Sequence, residues 1–202
     1  SADGNLVVFS SRSTTFGPTT TQTRIYLKNL TTGELAHVSL TNTGADGNGN
    51  SEGPSISADG RYISFTSLAS NLITGDTNAV DDIFVRDRTN ATTGRVSVTS
   101  AGRQSAAPQF SYYSNLAPVT NDGRVAFASA AADLVAGDTA GFNDVFFGAA
   151  ARVDNSALIA KYTADIKKLL KQIKDAKKKK KATIVKKLTK KLKQTQALLA
   201  GL

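Results

Sequence analysis

Three times along this chain an Asp-Gly turn is followed by alternating apolar residues that reach a phenylalanine. The strings are SADGNLVVFSS (1–11), SADGRYISFTS (57–67) and TNDGRVAFAS (120–129). Asp3 and Asp59 are 56 residues apart, and Asp59 and Asp122 are 63 apart. A period of this length constrains the fold more than any composition can. Each unit is too small to bury its own apolar face, so neighbouring units must stack to make a core. Phe9, Phe65 and Phe127 are expected at equivalent buried positions.

A second landmark follows each of these strings: TRIYLKNLTTGELAHVSL (23–40), DDIFVRDRTNATTGRVSV (81–98) and NDVFFGAAARV (143–153). Each reads as a strand pair. In the first, Ile25 and Leu27 alternate with Tyr26 and Lys28, Thr32-Gly33 supplies the reversal, and Leu35, His37 and Ser39 continue on the return strand. One repeat therefore holds about four short antiparallel strands, the size and strand count of a β-propeller blade. The expected blades are 1–48, 49–104 and 105–153.

The strings GPSISADGRYISFTS (53–67), NLITGDTNAVDDIFVRD (71–87) and TTGRVSV (92–98) resemble blades of the bacterial TolB-like, WD-like β-propeller repeats. The resemblance covers residues 1 to about 153. It implies a mainly β fold, an extracytoplasmic location (periplasmic, cell-surface or secreted) and a protein-binding or polymer-binding surface. Two departures stand out. The first repeat lacks the strand equivalent to 54–57, and a Thr-rich stretch, 14–23, replaces its loop of the Gly75-Asp76 kind. Three blades are also fewer than the ~4 of the smallest closed rings. The expected fold is thus a partial or oligomer-completed propeller of antiparallel four-stranded blades. Its open edges invite self-association or a protein partner.

Composition breaks near residues 152–156. Up to Asp154 the chain carries ten Lys plus Arg against fourteen Asp plus Glu, net −4; from Asn155 it carries fifteen Lys against Asp165 and Asp175, net +13. Any affinity for a polyanion therefore belongs to the tail, 154–202, alone. There is no cysteine, which excludes disulfides and thiolate metal sites. No apolar run approaches the ~20 residues of a membrane span. Ser1 falls inside a repeat, and the expectation is a mature or partial chain whose leader and earlier repeats lie outside it.

Chemistry-bearing motifs are few. The loops GDTNAVDD (75–82) and GDTAGFND (137–144) gather oxygen ligands, which makes Asp76, Asn78 and Asp82 candidates for Ca²⁺. They lack EF-hand spacing and its terminal Glu, and the favoured reading is Asx-type turns at Asp76 and Asp138 with no metal and no cofactor. His37 is the sole histidine, from which a His-based triad or multi-histidine site is taken as excluded by count. The glycines in TGADGNGNSEG (43–53) lack the Lys and strand-to-helix setting of a phosphate loop, and the segment reads as a flexible inter-blade loop. Asn29-Leu-Thr and Asn90-Ala-Thr fit the glycosylation sequon. Asp59 and Asp122 recur with the blade, as scaffold residues do, so no catalytic residue is assigned.

In the tail, Asn155 or Ser156 can cap a helix along which Ile166, Leu169 and Ile173 form an apolar stripe; a second stripe holds Ile184, Leu188 and Leu192. Between them lies the run Lys177, Lys178, Lys179, Lys180 and Lys181. In one continuous helix these lysines interrupt the stripe and repel at i,i+4. An α-helical hairpin turning near them avoids both conflicts, and is preferred to a single long helix. The stripes would serve assembly and the lysines an anionic envelope polymer. With no Arg and only Tyr162 as an aromatic, the tail does not point to specific nucleic-acid recognition. The leading functional reading is a non-enzymatic extracytoplasmic binding or structural protein. The alternative is a fragment of a larger propeller hydrolase or lyase whose catalytic residues lie elsewhere.

Overall fold

In a computed structural model, the structure describes residues 1–16, 21–105, 117–138, 143–150, 156–178, 189–194 and 196. The chain divides into two compact units, Ser1–Ala151 and Arg152–Leu202. The first is mainly β, and every strand pairing in it is antiparallel.

Three sheets follow one another in sequence. The first holds β1 (Leu6–Ser11), β2 (Arg24–Asn29) and β3 (Leu35–His37) in that order. The second holds β4 (Ser51–Ile56), β5 (Tyr62–Ser67), β6 (Asp82–Asp87) and β7 (Thr92–Arg95). The third holds β8 (Arg124–Ser129) and β9 (Asp144–Ala149), with a single bridge from Val119 to Val125 where a further strand would lie. Among the described residues, four strands per repeat are thus realised in the second sheet only.

The register shows that the sheets are copies. Phe9 pairs with Tyr26, Phe65 with Phe84 and Phe127 with Phe146. In each pair the rings stack, with centroids 5.9, 6.0 and 5.6 Å apart. Phe65 and Phe127 are buried, whereas Phe9 is half-buried because no sheet lies beyond it among the described residues.

Two apolar clusters join the sheets. Ile25, Leu27 and Val38 of the first sheet meet Ile63, Phe65 and Phe84 of the second. In the same way Ile83, Val85 and Val96 meet Val125 and Phe127, with Phe146 packed alongside. Period-2 alternation makes this possible: one face of each sheet serves the sheet before it, the other the sheet after it. The glycines of the Asp-Gly turns are part of the junction. A Cβ on Gly60 would lie 2.5 Å from Leu6 Cδ1, and one on Gly123 would lie 2.9 Å from the Tyr62 ring. Both glycines have positive φ, 75° and 80°, so only glycine suits the turn and the close approach.

Segment 43–53 is not a loose connector. Asn48 exchanges hydrogen bonds with Ser70 and donates its backbone N–H to Asn71 Oδ1, and a Cβ on Gly49 would stand 2.6 Å from the Leu68–Ala69 backbone. The expectation of a flexible loop is corrected: Gly47 and Gly49 are there for close packing, and Gly44 for its positive φ.

In the second unit, α1 spans Ser156–Lys178, and residues 189–194 are again helical. Leu169 is buried, Ile166, Ile173 and Leu192 are half-buried, and Leu170 is exposed. Lys177 and Lys178 are the last residues of α1. Lys179, Lys180, Lys181, Ile184 and Leu188 lie outside the described residues, as does the proposed turn.

Candidate functional site

Residues 24–47 and 82–105 match without a gap at a spacing of 58, and this register brings the chemistry-bearing side chains together. In the second sheet Asp82 starts β6 fully buried, and Arg95 ends β7 almost as deep. Arg95 Nη1 lies 3.0 Å from Asp82 Oδ2 and 3.4 Å from Asp76 Oδ1. Ser97 Oγ donates to Asp82 Oδ1 at 2.6 Å, and Gln104 Nε2 donates to Asp76 Oδ1 at 3.2 Å.

The calcium candidates are therefore gathered in one place, but around a guanidinium. Asp76 and Asp82 face Arg95, and Asn78 donates its amide to the Ser105 carbonyl at 3.0 Å and also hydrogen-bonds Asp82. A cation is already built into the centre, and a hard divalent ion would have to displace it. Burial pushes the Asp76 and Asp82 carboxyls up, opposed at Asp82 by the Ser97 hydroxyl and by Arg95. The Asx-turn reading of Asp76 gives way to this network, since its described partners are Gln104 and Arg95.

The first sheet builds the same station from different residues. Arg24, His37, Ser39 and Asp46 stand where Asp82, Arg95, Ser97 and Gln104 stand in the second. Arg24 Nη1 is 2.8 Å from Asp46 Oδ2, His37 Nδ1 is 2.9 Å from Asp46 Oδ1, and His37 Nε2 is 2.9 Å from Ser39 Oγ. One histidine suffices for a Ser–His–Asp chain, so excluding such a chain by counting histidines was an error. Burial holds the imidazole below its usual pKa against the pull of Asp46, favouring the neutral ring.

The register decides what this chain does. Ser39 is almost wholly buried, and its Oγ accepts the Ile25 N–H at 3.1 Å; Ser97 Oγ accepts the Ile83 N–H at 3.0 Å in the same place. A hydroxyl sealed into the sheet and engaged by the backbone cannot meet a substrate carbonyl. Both serines finish the outer strand by satisfying an amide that would otherwise be buried alone.

The third sheet repeats the first half of the station and not the second. Residues 71–87 match 133–149 without a gap, so Asp138, Asp144, Val145, Phe146 and Phe147 correspond to Asp76, Asp82, Ile83, Phe84 and Val85. Ile83 and Val85 are 0% and 5% exposed, whereas Val145 and Phe147 are 80% and 57% exposed. At the opposite end of the stack, Val7 and Phe16 are each 42% exposed. Among the described residues no group of three or more His, Cys, Asp or Glu is placed to hold a metal ion. No described helix is long and apolar enough to cross a membrane.

No protein-family model matches the chain, and no curated protein does. Among solved structures, a crystal structure of TolB from Acinetobacter baumannii is similar at 22% identity and a TM-score of 0.41; the match covers 72% of this chain and 27% of the TolB chain. The chain thus spans about a quarter of the length of that protein.

Proposed function

We propose that this chain is a non-enzymatic, extracytoplasmic structural and binding module, a run of three propeller-type blades that works by continuing its stack onto further blades. The observation that carries this reading is the exposure of Val145 and Phe147 at positions whose two counterparts in the chain are buried. The face they form is the same kind that Ile25 with Leu27, and Ile83 with Val85, present to the next sheet. The face bearing Val7 and Phe9 is the kind that Ile63 and Phe65 present to the sheet before. Among the described residues both halves of one junction therefore stand open on the same molecule, and a second copy is the occupant that supplies both. Two chains joined head to tail through two equal junctions make six blades, within the range of closed rings. The tail adds an assembly stripe and a lysine cluster for an anionic envelope polymer.

The chain has no cysteine, so engineered thiols report without background. A chain carrying Val7→Cys and Val145→Cys should oxidise to a covalent dimer, while neither single variant should link in that junction. Only intramolecular or random cross-links would overturn the reading.

A further inference from the structure

Beside β9 runs a groove of about 730 Å³, lined by Val96 and Val98–Ser100 on one side and Asp144–Ala149 on the other, with Asp138 also in its lining. The repeat explains its shape. In the second sheet the matching space is filled by the outer strand β7: Thr93 Oγ1 donates to Leu40 O at 2.6 Å, and Thr93 N donates to Asn42 Oδ1. Leu40, Thr41 and Asn42 correspond to Val98, Thr99 and Ser100, which line the groove. The groove is thus the seat of an outer strand, and β9 has β8 as its one strand neighbour among the described residues.

The two filled seats define what fits. They hold Ala36-His37-Val38-Ser39 and Gly94-Arg95-Val96-Ser97: a small residue, a basic residue, valine and serine. Each position has a cause. The small residue pairs with Leu27 or Val85, and the valine amide donates to the carbonyl of Ile25 or Ile83 at 2.9 and 2.7 Å. The serine takes the amide of that same isoleucine. In the second sheet the basic residue sits between Asp76 and Asp82. At β9 the corresponding isoleucine is Val145 and the corresponding carboxylates are Asp138 and Asp144, neither of which has an ion-pair partner among the described residues.

We propose that this groove is a strand-acceptor site: an extended peptide of another polypeptide, ordered small–Arg–Val–Ser, adds antiparallel to β9 and lodges its arginine between Asp138 and Asp144. Backbone pairing supplies the affinity, and the carboxylates select the cation, the division of labour usual in β-strand addition. The site goes beyond assembly through the end faces and stands whether or not two copies join.

The probe is a fluorescein-labelled peptide of residues 90–99, Asn-Ala-Thr-Thr-Gly-Arg-Val-Ser-Val-Thr, titrated with the full chain and read by anisotropy. Saturable binding is expected, weakened about tenfold or more when the peptide's Arg becomes Glu, and weakened similarly by Asp144→Asn in a chain with an unchanged melting temperature. Equal binding of both peptides, or no binding, overturns the proposal. So does binding that appears only after Arg152→Glu, because Ala151-Arg152-Val153-Asp154 follows nearly the same order and would then be the occupant in place of another polypeptide.

Discussion

Gly49 and Gly44 lie five residues apart in one connector and are glycines for different reasons. A Cβ at 49 meets backbone at 2.6 Å, while a Cβ at 44 meets nothing within 4 Å and faces only the cost of φ near +82°. Gly49→Ala should therefore lose about 1–3 kcal/mol through forced displacement of the Leu68–Ala69 backbone. Gly44→Ala should lose about 1 kcal/mol. Urea denaturation of the two variants separates steric from conformational cost. The Asp-Gly turns carry a pH signature of their own. Hydrogen bonding from Ser1 holds Asp3 down to about 2 from the usual 3.8, and Ser57 and Thr120 lower Asp59 and Asp122 in the same way. A carboxylate depressed in the folded state stabilises fully above the unfolded value and loses that contribution as pH falls through the folded one. Stability should drop between about pH 4 and pH 2, and a triple Asp→Asn variant at 3, 59 and 122 should drop less over the same range.

Between elements, the buried charge station is the most sensitive point. Asp82→Ala leaves Arg95 buried with Asp76 alone and should cost about 3–5 kcal/mol. Asp82→Ala combined with Arg95→Met and Asp76→Asn should cost less than Asp82→Ala alone, because no uncompensated charge then remains in the cluster. A chelator should leave the melting temperature unchanged, since Arg95 already stands between the carboxylates; a drop on chelation would mean that Asp76 and Asp82 bind a metal. In the tail, replacing Lys177–Lys181 by Gln should weaken retention on an anionic polymer with little change in helicity by circular dichroism. The repeats were legible in the sequence because Asp-Gly turns and the phenylalanines that follow them keep their residue types. The charge station was not, because its types change from copy to copy. Arg24 answers Asp82, and His37 answers Arg95, so only the 58-residue register connects them. Laying His37 over Arg95 in that register is the signal that would have exposed the Ser39–His37–Asp46 chain.

At the scale of the whole molecule, the three sheets of the first 151 residues form a stack whose internal junctions are filled and whose two ends, among the described residues, are not. A one-sheet shift in which face is buried explains why Phe9 is half-exposed while Phe65 and Phe127 are covered. The third sheet has two strands among the described residues, whereas NDVFFGAAARV reads from sequence as a strand pair whose second member falls outside them. The most direct measurement is the mass of the intact chain in solution by light scattering, alone and with Val145→Asp and Phe147→Asp together. The account predicts a particle of twice the 21.2 kDa chain mass that the double variant splits into folded monomers. A native chain that is monomeric at all concentrations, or a dimer untouched by those two substitutions, would contradict it.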